Sequence, residues 1–254
     1  MTDSAIPEMV DVTINGRWTL MLPEHRAARQ EWPVWEQERI ASMHSVLQPG
    51  MVVYDLGSEE GDLPALWATW VAGKEGGGIV LVEPNPRVWP NIRAIWQANN
   101  LAPPLGWFVG FASDVLDENP PNLNIDATVM EDGWPACAHG PIISDHGFRH
   151  LAQEFDATPR IPLDTLSKRI GGRVDAITMD VEGAEWHVLQ GARQVLKEQA
   201  PHVWVSVHPE VMAELYHRLP EDVNDLMKAY GYRAELLAID HEEHWYFRPP
   251  GHAR

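Results

Sequence analysis

Apolar and polar residues partly alternate on either side of Asn15-Gly16 in residues 10–22 (VDVTINGRWTLML). An Asn-Gly pair between two alternating runs predicts a β-hairpin. Over 35–47 the spacing becomes helical, with Ile40, Met43 and Leu47 on one side and Pro49-Gly50 as the stop. Short apolar runs then alternate with helical stretches. Residues 51–56 (MVVYDL) read as a buried strand running into a Gly-containing loop. Residues 63–72 read as a helix, with Pro64 tolerated in its first turn and Gly73 after its end. A second strand, 78–82 (GIVLV), ends at Glu83, and a helix over 86–99 carries Val88, Ile92, Ile95 and Trp96 on one side. Residues 105–112 (LGWFVGFA) complete a third strand.

Residues 114–162 break the pattern. They are irregular and rich in Pro, Asp, Asn and His, and so long an irregular stretch inside a compact domain is expected to serve function or to be poorly ordered. The alternation then resumes: a strand over 174–179 ending at Asp180, a helix over 184–199, a strand over 202–207, a helix over 221–230, and closing strands over 232–239 and 244–247 with only a short turn between them. Strands alternating with helices predict an open, mostly parallel sheet covered by helices on both faces, and the short last connection predicts an antiparallel hairpin at one edge. Ligands bind such sheets beyond the carboxyl ends of the strands, where the strand order reverses.

Charge narrows the partners. The formal net charge is −18 and the basic residues are scattered, so nucleic acid and anionic membranes are disfavoured. No apolar run is long enough for a membrane helix, and residues 1–10 lack the basic-then-apolar pattern of a signal peptide. Cys137 is the only cysteine, which excludes an internal disulfide and makes the cytoplasm the simpler setting. The chain also holds 12 Trp and 12 His, which fit either structural packing or a sugar-binding pocket.

The first loop carries the most specific chemistry. Asp55 is followed by Gly57, Ser58, Glu59, Glu60, Gly61 and Asp62, and Glu83 stands at the tip of the second strand. An acid there can accept hydrogen bonds from both ribose hydroxyls of an adenosine. Four carboxylates around the loop would repel a pyrophosphate and suit a sulfonium and an ammonium group instead, which points to S-adenosylmethionine as cofactor. The spacing D-x-G-x-x-x-G also departs from the dinucleotide pattern. An NAD-dependent oxidoreductase, a non-catalytic donor-binding module and a purely structural turn remain as alternatives.

Residues 50–57 (GMVVYDLG), Glu83-Pro84-Asn85-Pro86, Leu163-Asp164-Thr165-Leu166 and the block 174–192 (VDAITMDVEGAEWHVLQGA) together resemble the FkbM-type methyltransferases. The resemblance runs over roughly residues 35–247. It implies a Rossmann-like class I methyltransferase fold: an α/β domain over 48–254 with a mostly parallel seven-stranded sheet, preceded by a hairpin-helix extension over 1–47 and interrupted by the insertion at about 114–162. It also implies O-methylation of a hydroxyl, often on sugars or polyketides. In the first loop the family commonly reads G-A-N-x-G, so Glu59 and Glu60 are departures. The candidate donor-binding residues are Asp55, Gly57, Ser58, Glu59, Gly61, Glu83, Pro84, Asn85, Ala112 and Ser113.

A hydroxyl is a poor nucleophile, so a base or a metal is expected near it. The candidate catalytic residues are Asp180, Glu182 and His208. Asp180 reads as base, metal ligand or substrate contact, or else as the N-cap of the next helix. Glu182 and Glu185 crowd the same turn, and Glu182 would alternatively accept backbone amides there. His208 suits a base because an unperturbed imidazole titrates at about 6.5. Asp180 and His208, with Glu210, would also hold a divalent ion such as Mg²⁺. His139, His146, Arg149 and His150, with Trp134, would either hold a sugar ring or belong to a loop anchored by the tryptophan. His187 reads as a packing or surface residue. The expected acceptor is a small molecule or a glycan, with no nucleic acid and no membrane as partner.

Overall fold

The computed structural model describes residues 8–73, 76–117, 132–142 and 158–251. The hairpin forms as the pattern predicts: β1 (Met9–Ile14) and β2 (Trp18–Pro23) pair antiparallel about Asn15-Gly16, with both turn residues at positive φ. A four-residue helix, α1 (Glu24–Ala27), and a longer one, α2 (Gln37–Val46), lead into the main sheet. That sheet has the order β10-β11-β9-β8-β3-β4-β5. Its members are β3 (Val52–Leu56), β4 (Gly78–Val82), β5 (Gly106–Phe108), β8 (Ala176–Asp180), β9 (His202–Val207), β10 (Arg233–Ile239) and β11 (Glu243–Arg248). The strands from β5 through β9 are parallel, while β11 runs antiparallel between β9 and β10. This is the class I methyltransferase arrangement, and its order reverses between β3 and β8.

The central strands are buried on both sides, so they read as unbroken apolar runs. Successive residues still face opposite ways. Val53 joins Ile40, Trp67, Trp89 and Trp96 on one face, with the hairpin residues Ile14, Leu20 and Leu22. Val52, Tyr54 and Leu56 meet Leu166, Val188, Leu196 and Met227 on the other. The first face is covered by α2, α3 (Asp62–Val71) and α4 (Trp89–Ala98), the second by α5 (Leu163–Ile170), α6 (Glu185–Gln190), α7 (Pro209–Tyr216) and α8 (Pro220–Ala229). Among the described residues no helix is long and apolar enough to cross a membrane.

The structure differs from the pattern-based reading in three respects. The expected strand over 105–112 divides: β5 stays in the main sheet, while β6 (Phe111–Ala112) leaves it to pair with β7 (Arg160–Ile161). The division falls at Gly110, where a Cβ would collide with the Phe108 ring and the Pro159 carbonyl. Just beyond β6, Asp117 accepts hydrogen bonds from the Arg160 backbone N–H at 2.9 Å and from its guanidinium. The ends of the insertion are thereby clamped together. The expected helix over 184–199 also divides. It stops at Gly191, whose bare Cα lets the backbones of Ser113 and Pro162 pass, and resumes as a π-helical turn at Val195–Gln199. Finally, α5 and α7 were not anticipated by periodicity; both are short, and each carries a proline at or beside its start.

The break at Gly191 explains two motifs at once. The Asp164 N–H donates to the Gly191 carbonyl at 2.9 Å, and the Asp164 carboxylate accepts from the N–H groups of Gln194 and Val195 at 3.0 and 2.9 Å. The L-D-T-L segment thus caps the helical turn that follows V-L-Q-G-A. Asp164→Ala is expected to cost about 1–2 kcal/mol of stability, read as a lower urea midpoint with an unchanged slope.

Candidate active site

The donor end is built where β3 and β4 finish. Gly57 turns the chain at φ 85°, and a Cβ on it would collide with the carbonyl of Asp180 at the end of β8. The N–H groups of Gly57 and Ser58 both donate to the Val82 carbonyl. Glu83 is buried at the tip of β4. Its Oε2 accepts from the Glu59 N–H at 2.9 Å and its Oε1 from the Asn85 N–H at 2.8 Å. Each oxygen keeps lone-pair capacity toward the cavity. Burial pushes the Glu83 carboxyl up to about 8 despite those two donors, and burial likewise pushes Asp55 up to about 7. Asp55 Oδ2 is buried without a hydrogen-bond partner.

The loop carboxylates are not a bare anionic patch, contrary to the sequence reading. Arg26, in α1, is buried at 1 % exposure and reaches three of them. It meets Glu59 through both terminal nitrogens at 3.1 and 3.0 Å, Asp62 through Nε at 2.7 Å, and Glu60 at 3.4 Å. Glu60 also meets His25 at 2.6 Å and accepts from Asn91 at 2.7 Å. The charge that argued against a pyrophosphate is therefore largely spent within the protein. Glu59 itself sits at φ 47°. Asn tolerates that left-handed conformation better than Glu does, which fits the Asn that the resemblance leads one to expect at this position. Here the two-pronged Arg26 contact holds the glutamate in it.

The acceptor end is built where β8, β9 and the β10–β11 turn finish. His208 follows β9, and its Nδ1 lies 2.9 Å from Oε1 of the fully buried Glu185. Its Nε2 lies 2.8 Å from Glu242 Oε2, 3.5 Å from Asp180 Oδ1 and 3.6 Å from Glu182 Oε2. Burial works against a charge on His208, but the carboxylates of Glu185, Glu242 and Asp180 around it outweigh that and push the imidazole up to about 11. The expectation of an imidazole titrating near its free value does not hold in this cage, where the surrounding carboxylates favour a positive charge at the ring. Two other expectations change. Asp180 is not an N-cap, since α6 begins after Ala184 with no side-chain cap. The backbone amide in the turn, Gly183 N–H, donates to Glu185 at 2.9 Å rather than to Glu182, which stays exposed at φ 51°.

The donor end opens into a cavity of about 800 Å³ that Asp180 and Glu182 reach from the acceptor end, with His208 and Glu242 set behind them rather than in its wall. Gly57, Glu59, Glu83, Pro84, Asn85 and Ala112 line it from one side, Asp180 and Glu182 from the other. Asp55 and Ser58 face a smaller neighbouring space of about 50 Å³ that shares Gly57, Glu59 and Asp180 with it. Two expected contacts are not at the cavity wall. Gly61 starts α3 packed on Ile92, and Ser113 is held by the Ile161 carbonyl and packed on Gly191. Glu210 is exposed in the first turn of α7 and does not join His208; Glu242 takes the place expected for it. Trp134 is buried edge-on against Trp96 and His139 pairs with Asp132, so the anchored-loop reading holds for these two. His146, Arg149 and His150 lie outside the described residues. His187 pairs with Asp114 at 3.2 Å beside Tyr216.

Sequence reasoning missed His25, Arg26, Arg29 and Tyr216, which also line the cavity, and Glu242. No motif marks them; the unusually acidic loop, which calls for a cation nearby, is the one signal the sequence offered.

Two outcomes follow. Arg26→Ala leaves Glu60 and Asp62 buried without their cation and is expected to cost about 3–5 kcal/mol in urea unfolding. Glu83, raised in the folded protein, binds its proton more tightly there than when unfolded. Its stabilising contribution is complete below its ordinary pKa and is lost as pH rises through about 8. Glu83→Gln lacks this loss. The stability of the variant minus that of the wild type should therefore climb by roughly 2–4 kcal/mol between pH 5 and 8.5, measured by denaturant unfolding at each pH.

Residues 55–234 match the Methyltransferase FkbM domain family. None of the curated proteins matches the chain. Among solved structures, the FkbM methyltransferase of Methylobacillus flagellatus KT is 18% identical with a TM-score of 0.49, over 78% of this chain and 43% of that one. Aeropyrum pernix fibrillarin, solved with S-adenosyl-L-methionine, is 12% identical with a TM-score of 0.48, over 95% of this chain and 99% of that one. The precorrin-6y C5,15-methyltransferase of Geobacter metallireducens is 11% identical with a TM-score of 0.45, over 88% and 92%. With the family match spanning most of the sheet and both ends of the cavity, the chain belongs to the FkbM family of S-adenosylmethionine-dependent methyltransferases.

Proposed function

We propose that the protein transfers a methyl group from S-adenosylmethionine to a hydroxyl of a small molecule or glycan, with a sugar as the favoured acceptor. One observation carries this reading: a single cavity joins Glu83 at the tip of β4 to Asp180 at the tip of β8. The donor set fits the cofactor. Glu83 offers free lone pairs to two ribose hydroxyls, and its burial favours a ligand that donates hydrogen bonds over one that brings negative charge. Gly57, Glu59, Pro84, Asn85 and Ala112 form the wall beside it, Asp55 and Ser58 back the turn, and Gly61 and Ser113 act by shaping backbone rather than by contact.

When bound, the cofactor supplies an electrophilic methyl on a sulfonium. The chain's part is to aim the acceptor oxygen along the C–S axis and to take its proton. Alignment in a closed cavity is worth roughly 7–11 kcal/mol in favourable cases. Asp180 and Glu182 are the cavity-facing groups at this end able to accept that proton, while His208, 3.5 and 3.6 Å from them, positions them. A divalent ion such as Mg²⁺ at Asp180 and His208 would serve the same end by acidifying the hydroxyl. The lone, partly buried Cys137 suits a cytoplasmic setting.

Calorimetry with S-adenosylhomocysteine tests the donor end. Binding with one-to-one stoichiometry is expected, weakened at least about tenfold in Glu83→Ala, since that variant loses paired hydrogen bonds to a buried partner. No heat at millimolar ligand, or wild-type affinity in the variant, would sink the reading.

A further inference from the structure

We infer that Asp180, His208 and Glu242 form a binding site for a divalent cation of the Mn²⁺ or Mg²⁺ class at the acceptor end of the cavity. The carboxylate oxygens of Asp180 and Glu242 and a ring nitrogen of His208 all lie within 4.8 Å of one another. Ligands held at about 2.1 Å around an octahedral ion stand roughly 3 Å apart along each edge. The distances from His208 Nε2 to Glu242 Oε2 and Asp180 Oδ1, 2.8 and 3.5 Å, are of that size.

Glu242 supplies an independent observation. Its side chain is 1 % exposed, and neither carboxylate oxygen receives a well-formed hydrogen bond, although the imidazoles of His208, His241 and His244 stand within 4 Å. A carboxylate so deeply buried is costly without a bound cation or good donors. The orientation of His208 sharpens the point. Glu185, itself fully buried, lies 2.9 Å from Nδ1 and is placed to accept the N–H from that nitrogen. In that tautomer Nε2 is an acceptor, and it faces the acceptor oxygens of Glu242 and Asp180. Three acceptors pointing at one another require a positive charge between them, either a proton on Nε2 or a metal ion. Metal-ligating imidazoles usually donate from their far nitrogen to a carboxylate in this way, which fixes the tautomer and the ring orientation. The mixed nitrogen and carboxylate set suits Mn²⁺ better than Mg²⁺, which prefers oxygen ligands, and Asp180, 36 % exposed, leaves the site open to the cavity. Exposed Glu182, 3.6 Å from Nε2, completes the rim.

The purpose of the site rests on the proposed methyl transfer; its existence does not. Mn²⁺ is the probe. Titrating metal-free protein into Mn²⁺ at pH 7.5 and following the free-ion electron paramagnetic resonance signal should show one bound ion per chain. Glu242→Gln should weaken binding at least about tenfold, with circular dichroism reporting that the variant is folded. A wild-type protein that leaves the free signal unchanged at about 1 mM Mn²⁺ overturns the inference and assigns the charge to a proton. Wild-type affinity in a folded Glu242→Gln protein overturns it too. S-adenosylhomocysteine calorimetry in metal-free buffer separates the two ideas: donor binding without Mn²⁺ binding removes only the metal, and the reverse removes only the methyl-transfer reading.

Discussion

A single buried guanidinium ties the N-terminal extension to the donor loop. Arg26 comes from the four-residue helix after the hairpin, yet its partners lie in the turn between β3 and α3. Without it the loop would carry three carboxylates against one another, with Glu59 in a left-handed conformation that glutamate does not favour. Because Gly57 in the same loop lies against the Asp180 carbonyl, the position of the donor turn also sets the distance to the acceptor end. The chain therefore reaches its active shape only when residues far apart in sequence converge on one cation.

The carboxylates of the site fall into two kinds. Glu60 and Asp62 are buried and fully partnered by Arg26, His25 and Asn91; they hold shape. Glu83, Asp55 and Glu242 are buried with acceptor capacity left over, so each can still take up a donor or a cation. Both kinds look alike in a sequence. What separates them is the presence or absence of a cation within reach, and that depends on tertiary packing.

This division explains how much could be read from the chain itself. The parallel core was legible because strands buried on both faces leave unbroken apolar runs, and Asp55, Glu83 and Asp180 were legible because they end such runs. The division of the strand at Gly110 and of the helix at Gly191 was not, since each is caused by another backbone passing close by, a contact that leaves only a glycine behind. Glu242 escaped notice for a similar reason. It lies in the turn between β10 and β11, distant from every motif, and reaches the site only because β11 inserts beside β9. The loop's acidity was seen, but its neutralisation by Arg26 required the extension to be folded against it.

The clamp at Asp117 and Arg160, with the two-residue ladder of β6 and β7 beside it, fastens both ends of the insertion at one point on the cavity rim. Closing a loop on a fixed stem makes the cost of length logarithmic, about 0.6 kcal/mol for each doubling. The scaffold thus tolerates added chain between those two residues so long as Trp134 keeps its buried place against Trp96. Selection for new acceptors has a place to lengthen, shorten or rewrite sequence while the donor turn and the sheet keep their geometry.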